Sequence, residues 1–253
     1  MSVDYCAQLL RELDPDRFGI CLMVAPERRA RLLTLYALNL ELARAPLASN
    51  EPLVAEMRLQ WWIDSLESLA ERQPQPHELL SPLAEAWGAR AAAFAELAEA
   101  RRRDAAREPH DGPQAVCDYV RATAVPLTQF AAEALSAPAE AAPVVAAQAE
   151  GVGLVQWLAA LPALQRLGLG LWDPAPAELA RLADLARARL AEAAAGRRMI
   201  SRALAPVLYP GATAGAILAA APRGIEALAH AAPSEFRRRL ALGRFALTHR
   251  WRV

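Results

Sequence analysis

The sequence contains no lysine, so arginine supplies all 28 of its basic side chains. A Schiff-base lysine and the lysine of a phosphate-binding P-loop are therefore excluded. The 28 acidic residues balance the arginines and give a formal net charge of +0. The whole chain has no electrostatic preference for a polyanion, and we expect no nucleic-acid partner.

Cysteine is scarce as well, with only Cys6, Cys21 and Cys117 in 253 residues. Three scattered cysteines fit neither a disulfide framework nor a zinc site, and they favour a reducing compartment. No secretory signal is visible, and no run of about 18 uncharged apolar residues occurs. We therefore expect a cytoplasmic protein and leave open a peripheral contact with the inner membrane.

Aromatic residues make up only 6% of the chain, whereas hydrophobic residues, many of them alanine, make up 55%. A composition rich in Ala, Leu, Arg and Glu favours helices. Pro15, Pro26 and Pro52 stand where the first turn of a helix tolerates proline. We find no convincing strand and predict one all-α domain over residues 1–253, with about ten helices. Among them we expect one helix over residues 88–107 and one over residues 197–206. Pro126 should kink or interrupt the helix predicted over 112–135, and Pro162 should end the one predicted over 139–160.

No motif indicates a catalytic residue or a metal site. The stretch GVGLVQW (151–157) lacks the preceding strand and third glycine of a dinucleotide site, and tight helix packing explains its small residues better. The histidines are isolated from one another, and no serine lies in a nucleophile setting. We predict no catalytic residue and no bound metal.

The last helix is basic and amphipathic. It carries Arg237, Arg238, Arg239 and Arg244, with Arg250 and Arg252 just beyond, among the apolar residues Phe236, Leu240, Phe245, Leu247 and Trp251. Such a helix can contact an anionic lipid surface or an acidic partner. It can equally pack on the core with a solvated arginine face; the sequence favours this second interpretation and leaves the first open.

Several segments are familiar when taken together. They are DPDRF (14–18), APERR (25–29) and LYA (35–37); NLELAR (39–44); EMRLQWWIDSLE (56–67); and the small-residue helix 149–162 with its Gly/Trp/Pro loop. Over nearly the whole chain they resemble the squalene/phytoene synthase family, and the segment 56–67 is specific by itself.

This resemblance implies an all-α, single-domain helical bundle of the isoprenoid synthase type around a central apolar cavity. Active members of the family join two prenyl diphosphates head to head. They hold Mg²⁺ with two aspartate clusters on facing helices, because divalent cations stabilise a departing diphosphate.

The chain departs from the family pattern at both clusters. Counting from Tyr36, the first cluster falls on Ala43, Arg44 and Leu47. The second falls on Ala159 and Ala160, after Gln156 at the amide position. None of these side chains is an acid, so we expect no cofactor, with Mg²⁺ needed only if the chain is an enzyme after all.

The segments 39–43 and 58–62 and the closing residues 244–252 resemble the branch that includes the mitochondrial complex I assembly factor of this family. The leading hypothesis is therefore a non-catalytic protein that binds a prenyl lipid or assists respiratory complex I assembly, with a complex subunit as partner. The candidates for lining its cavity are Tyr36, Asn39, Trp61, Trp62 and Gln156.

Two alternatives remain. The first is an active head-to-head prenyltransferase whose metal ligands are displaced to Glu41, Glu56, Asp64 or Glu67. The second is a helical protein-interaction module that holds no lipid.

Overall fold

The computed structural model describes residues 2–49, 51–72, 74 and 76–253. The chain divides into two compact units, residues 1–107 and residues 108–253. The described residues form helices and no β-strand, apart from an isolated bridge between His110 and Leu171. The all-α prediction is confirmed, whereas a single domain over 1–253 stays a prediction.

The first unit contains seven α-helices among its described residues. They are α1 (Asp4–Leu13), α2 (Pro15–Met23), α3 (Pro26–Arg44), α4 (Pro52–Ser68), α5 (Leu80–Trp87), α6 (Ala95–Glu99) and α7 (Arg102–Ala106).

The second unit contains six α-helices. They are α8 (Pro113–Ala134), α9 (Ala142–Arg166), α10 (Pro176–Ala195), α11 (Ala214–Ala220), α12 (Ile225–His230) and α13 (Glu235–Thr248).

Proline marks the start of the long helices. A proline opens α2, α3, α4, α8 and α10, where its missing N–H would have no intrahelical partner in any case. Ahead of α2, the side chain of Asp14 accepts a hydrogen bond from the Arg17 backbone N–H at 3.1 Å. The predicted starts at Pro15, Pro26 and Pro52 are confirmed.

One predicted helix end is wrong, and one expected interruption does not occur. Pro162 does not end α9, which continues to Arg166, and Pro126 does not interrupt α8. An internal proline removes one backbone hydrogen bond, but Leu161 and Leu127 beside these prolines are buried. Core packing therefore keeps both helices intact.

Two other regions are less regular than predicted. Residues 88–107 were expected to form one helix and instead form a 3₁₀ segment (Gly88–Phe94) followed by α6 and α7. Residues 197–206 give no α-helix but parts of two 3₁₀ segments, Arg197–Met199 and Ala205–Leu208. Propensity alone does not distinguish these tighter turns from an α-helix.

In the first unit, an arginine and a tryptophan join α3 to α5. The Trp87 indole N–H donates to the Arg31 carbonyl oxygen at 3.1 Å, and the Arg31 Nε–H donates to the Ala86 carbonyl oxygen at 3.0 Å. The Arg31 guanidinium lies 5.3 Å from the Trp87 ring centre, and Phe94 packs edge-on against that ring. These contacts fix α3, whose C-terminal end carries the candidate site.

In the second unit, α9 lies between α8 and α10. A Cβ atom at Gly153 would lie 2.6 Å from Val120 Cγ1, and one at Gly151 would lie 2.7 Å from Leu190 Cγ. The backbone of α9 therefore approaches both neighbours too closely for a side chain. The glycines of GVGLVQW serve helix packing, as the sequence predicts.

The carboxylate of Glu150 connects the same three helices. It accepts a hydrogen bond from Arg121 on α8 at 2.8 Å and pairs with Arg189 on α10 at 3.2 Å. Residues 139–166 are long and apolar enough to cross a membrane by length and composition alone, but 72% of the most apolar window is buried within the protein. That burial is typical of a core helix.

Candidate functional site

A cavity of about 600 Å³ lies in the first unit, between the end of α3 and the middle of α4. Its walls combine charged, aromatic and small apolar side chains. The lining residues are Glu41, Arg44, Ala45, Leu47, Ala48, Arg58, Trp61 and Trp62.

Helical spacing brings these side chains together. On α4, Arg58, Trp61 and Trp62 stand three and four residues apart and therefore share one helix face. On α3, Glu41 and Arg44 are separated by one turn, and a 3₁₀ segment turns the chain so that Leu47 joins the same wall. The cavity therefore includes two of the three positions at which the resemblance places the first aspartate cluster.

The charge of the cavity is positive on balance. Arg44 Nη1 lies 3.2 Å from Glu41 Oε1, and the Arg44 side chain is largely exposed. Exposed pairs of this kind are weak, contributing about 0–1 kcal/mol, so Glu41 holds Arg44 loosely. Arg58 is exposed and has no ion-pair partner in the described part of the chain. Two guanidinium groups thus face one carboxylate, an arrangement that attracts an anion and repels a metal cation.

Two tryptophans supply the apolar part of the wall. The ring centres of Trp61 and Trp62 are 4.9 Å apart at 74°, and the His77 ring lies 5.4 and 5.6 Å from them. Trp62 is 7% exposed and belongs to the core, whereas Trp61 is 46% exposed. Trp61 therefore offers apolar surface to a ligand beside the arginines.

The other predicted lining residues lie elsewhere. Tyr36 is buried beneath the Arg17 guanidinium, 5.4 Å from its ring centre, and burial raises the pKa of its hydroxyl. Asn39 is buried on α3. Gln156 is exposed on α9 in the second unit. None of these three lines the cavity of the first unit.

The remaining motif positions are also distributed between the two units. Ala43 on α3 is half-buried and does not line the cavity, while Ala159 and Ala160 on α9 are exposed. Sequence reasoning did not select Arg58 as a site residue. The available signal was its position three and four residues before the tryptophans on a predicted helix.

The acids proposed as displaced metal ligands do not converge. Glu56 and Glu67 stand roughly 160 to 180° around α4 from the cavity-lining Arg58. Glu56 pairs with Arg102 at 3.7 Å, and Asp64 accepts a hydrogen bond from Gln60 at 2.6 Å. Within the described ranges, no group of three or more His, Cys, Asp or Glu side chains is arranged to hold a metal ion. The residues at the first motif do not fit Mg²⁺.

The sequence profile of the squalene/phytoene synthase family matches residues 10–171. The chain belongs to this family. The fold agrees with that assignment, because the chain superposes on a crystal structure of a dehydrosqualene synthase in complex with ligand with a TM-score of 0.75. That match covers 96% of this chain and 94% of the synthase at 13% identity, and it confirms the isoprenoid-synthase type of fold.

Two relatives show a local similarity to this chain. Human NADH dehydrogenase (ubiquinone) complex I, assembly factor 6 is 34% identical over 74 residues, and the Bos taurus protein is 31% identical over 74 residues. Each match covers 29% of this chain and 22% of the relative. The chain therefore matches only about a fifth of the length of each assembly factor.

Proposed function

We propose that this member of the squalene/phytoene synthase family is a non-catalytic protein that binds a prenyl or quinone-like lipid and assists the assembly of respiratory complex I. In this proposal it acts in the cytoplasm, and a subunit of the complex is its protein partner. The observation that carries the proposal is the cavity in which Arg44 and Leu47 occupy two positions where the family pattern has carboxylates, and in which Arg58 adds a second guanidinium group.

The chemistry of the cavity favours binding over ionisation of a prenyl diphosphate. A leaving diphosphate accumulates several negative charges, which carboxylate-bound divalent cations neutralise in active family members. Here Arg44 repels such cations, and Glu41, which pairs with it, is the one acid among the described residues of the wall. The guanidinium groups can hold the polar or anionic head of a ligand through charge-assisted hydrogen bonds.

The same cavity offers a place for an apolar tail. Trp61 and Leu47 expose apolar surface next to the arginines, and Trp62 closes the wall behind Trp61. Binding sites for small amphiphiles combine such apolar walls with a few polar groups that orient the head.

The role in complex I assembly rests on a different observation. The two assembly factors share 34% and 31% identity with this chain over 74 residues, although the fold match is to a synthase. A retained fold does not carry function by itself. The local similarity to two assembly factors therefore supports a binding role in biogenesis.

The proposal is tested by respiration of membranes from a strain that lacks the protein. NADH oxidation and succinate oxidation are measured in the same preparation, since only the first requires complex I. We expect a selective loss of NADH oxidation that the wild-type chain restores. Equal rates for the two substrates would contradict the assembly role.

A double variant connects the cavity to this role. Arg44→Gln with Arg58→Gln removes both cavity cations, and we expect it not to restore NADH oxidation. The matched control is Arg11→Gln with Arg72→Gln, two exposed arginines of the same unit outside the cavity. Full restoration of NADH oxidation by the cavity variant would show that the two cavity arginines are not needed for assembly.

Two further results would overturn parts of the proposal. Robust Mg²⁺-dependent diphosphate release from prenyl diphosphates would show an active enzyme with displaced ligands. Purified protein that carries no extractable lipid yet restores NADH oxidation would indicate an interaction module and contradict lipid binding.

A further inference from the structure

The C-terminal helix α13 exposes an apolar stripe. Phe236, Leu240 and Leu247 are 74%, 61% and 81% exposed, and their spacing places them within about 40° of one another around the helix. Phe245 lies on the opposite side, where it is buried and packs against Tyr209 with ring centres 4.7 Å apart. The helix is therefore attached to the second unit by one face and presents large hydrophobic residues on the other.

Arginines border this stripe. Arg237 and Arg244, two turns apart on α13, line a cavity of about 740 Å³ together with Arg250 and Arg252 from the segment after the helix. None of these four guanidinium groups has an ion-pair partner within the described ranges. Among the described residues that line this cavity there is no Asp or Glu.

The neighbouring acid does not neutralise the four arginines. Glu235 lies at the start of α13, where it pairs with Arg239 at 2.9 Å and with Arg238 at 3.5 Å. This cavity, called the four-arginine groove below, therefore keeps its positive charge, although the chain as a whole has a formal net charge of +0.

The segment after α13 is held in place. His249 ends the helix in the left-handed conformation (φ 53°), which turns the chain. Trp251 is then buried, and the Gln148 side-chain amide donates to its carbonyl oxygen at 3.2 Å. Arg250 and Arg252 flank this anchored residue, which keeps both guanidinium groups at the groove.

We propose that the apolar stripe and the four-arginine groove together bind the surface of an anionic phospholipid membrane. In an interfacial helix, apolar side chains enter the boundary of the acyl region while arginines contact lipid phosphates. A soluble phosphate would engage the arginines alone and leave Phe236, Leu240 and Leu247 in water. The adjacency of stripe and groove is therefore the observation that favours a lipid surface. This surface lies in the second unit, and the proposal does not depend on the function proposed above.

The test is co-sedimentation of the full chain with lipid vesicles. One set contains phosphatidylcholine alone, and the other mixes phosphatidylcholine with phosphatidylglycerol. We expect binding to the anionic vesicles only, and binding that weakens as salt is raised. The double variant Arg237→Gln with Arg244→Gln should bind about 30-fold more weakly, since each surface arginine contributes a few-fold to tenfold in affinity.

Two further variants separate the contributions. Arg198→Gln with Arg223→Gln removes the same charge from exposed positions of the second unit outside the groove, and it should bind as the wild type does. Leu240→Ser with Leu247→Ser keeps every charge and should also weaken binding. Circular dichroism confirms that each variant remains folded.

Several outcomes would overturn the proposal. Equal binding to both vesicle types would exclude recognition of anionic lipid. Equal loss in the groove variant and the charge-matched control would show a diffuse charge effect. Displacement from vesicles by inorganic phosphate or diphosphate, with Leu240→Ser/Leu247→Ser binding unchanged, would indicate a soluble phosphate site. Absence of binding to anionic vesicles would exclude the lipid surface directly.

Discussion

Arg44 Nη1 lies 3.2 Å from Glu41 Oε1 in the wall of the first unit's cavity. Glu41 therefore competes with any anionic ligand for the Arg44 guanidinium. We expect Glu41→Gln to bind inorganic diphosphate more tightly, by up to about fivefold, because exposed ion pairs contribute about 0.2–1 kcal/mol.

This prediction is measured by isothermal titration calorimetry without Mg²⁺. Glu27→Gln is the control, since Glu27 is an exposed acid on α3 that does not line the cavity. An equal gain in both variants would reflect overall charge, and weaker binding by Glu41→Gln would contradict the competition.

The glycines of α9 and α13 predict opposite effects of one substitution. A Cβ atom at Gly153 would lie 2.6 Å from Val120 Cγ1 and 2.8 Å from Ala124 Cβ, so Gly153→Ala should lower the free energy of unfolding by about 1–3 kcal/mol. Gly243 on α13 has no atom within 4 Å of such a Cβ, and Gly243→Ala should stabilise the helix by about 0.5–1 kcal/mol.

Both free energies come from urea unfolding followed by circular dichroism. The paired design controls for the generic effect of replacing glycine with alanine. A neutral or stabilising Gly153→Ala would show that α8 and α9 can separate without cost.

Gln148 anchors two backbone carbonyl groups from distant parts of the second unit. Its amide nitrogen lies 2.9 Å from the Leu208 oxygen and 3.2 Å from the Trp251 oxygen. Gln148→Leu keeps the volume but leaves two acceptors without a donor, and it should cost about 1–3 kcal/mol of unfolding free energy. Gln114→Leu, at an exposed position of α8, should change it by less than about 0.5 kcal/mol.

Hydrogen exchange identifies where Gln148→Leu acts. Amides of residues 245–251 should exchange faster in this variant than in the wild type, because the anchor of Trp251 is lost. Unchanged exchange there, with a fall in global stability, would place the effect in the core of α9 instead.

Burial raises the pKa of the Cys6 and Cys21 thiols to about 12 from an ordinary value of 9.0. The native thiols therefore stay protonated at pH 8, and they should not react with Ellman's reagent until the chain unfolds. In the unfolded chain these two thiols ionise from about pH 9 upward, whereas in the folded chain they stay protonated until about pH 12. The free energy of unfolding should therefore fall between about pH 9 and 12.

Replacing both cysteines tests the origin of this pH dependence. Cys6→Ala with Cys21→Ala should flatten the decline in unfolding free energy over the same pH range. Rapid native labelling at pH 8 would contradict protection by burial.

Much of the fold was predictable because its signals are local. Pro15, Pro26 and Pro52 predict helix starts because the missing N–H and fixed φ of proline suit the first turn of a helix. The 3₁₀ segments and the continuity of α9 across Pro162 depend on tertiary packing, which propensity does not contain. The glycines at 151 and 153 were correctly interpreted as packing residues because no strand accompanied them.

The candidate site was predictable only in part. Trp61 and Trp62 lie in a segment that resembles the family, and the structure places both in the wall of the cavity. Tyr36 and Asn39 lie on the same helix as Glu41 and Arg44, yet they are buried and do not line the cavity. Residues two or five positions apart point to different faces of an α-helix, so the segment alone did not show which of them line it. The spacing of Arg58 before the tryptophans was a sequence signal for a shared helix face, but its place opposite Arg44 depends on how α3 packs beside α4.

On α9, the residues that set the packing are not those at which the family pattern carries carboxylates. Gly151, Gly153 and Glu150 hold the helix between its neighbours, whereas Gln156, Ala159 and Ala160 are exposed. Substitution at the second group leaves the interhelical contacts untouched. Residues on this exposed face can therefore change while α9 keeps its contacts with α8 and α10, so sequence change there is decoupled from folding.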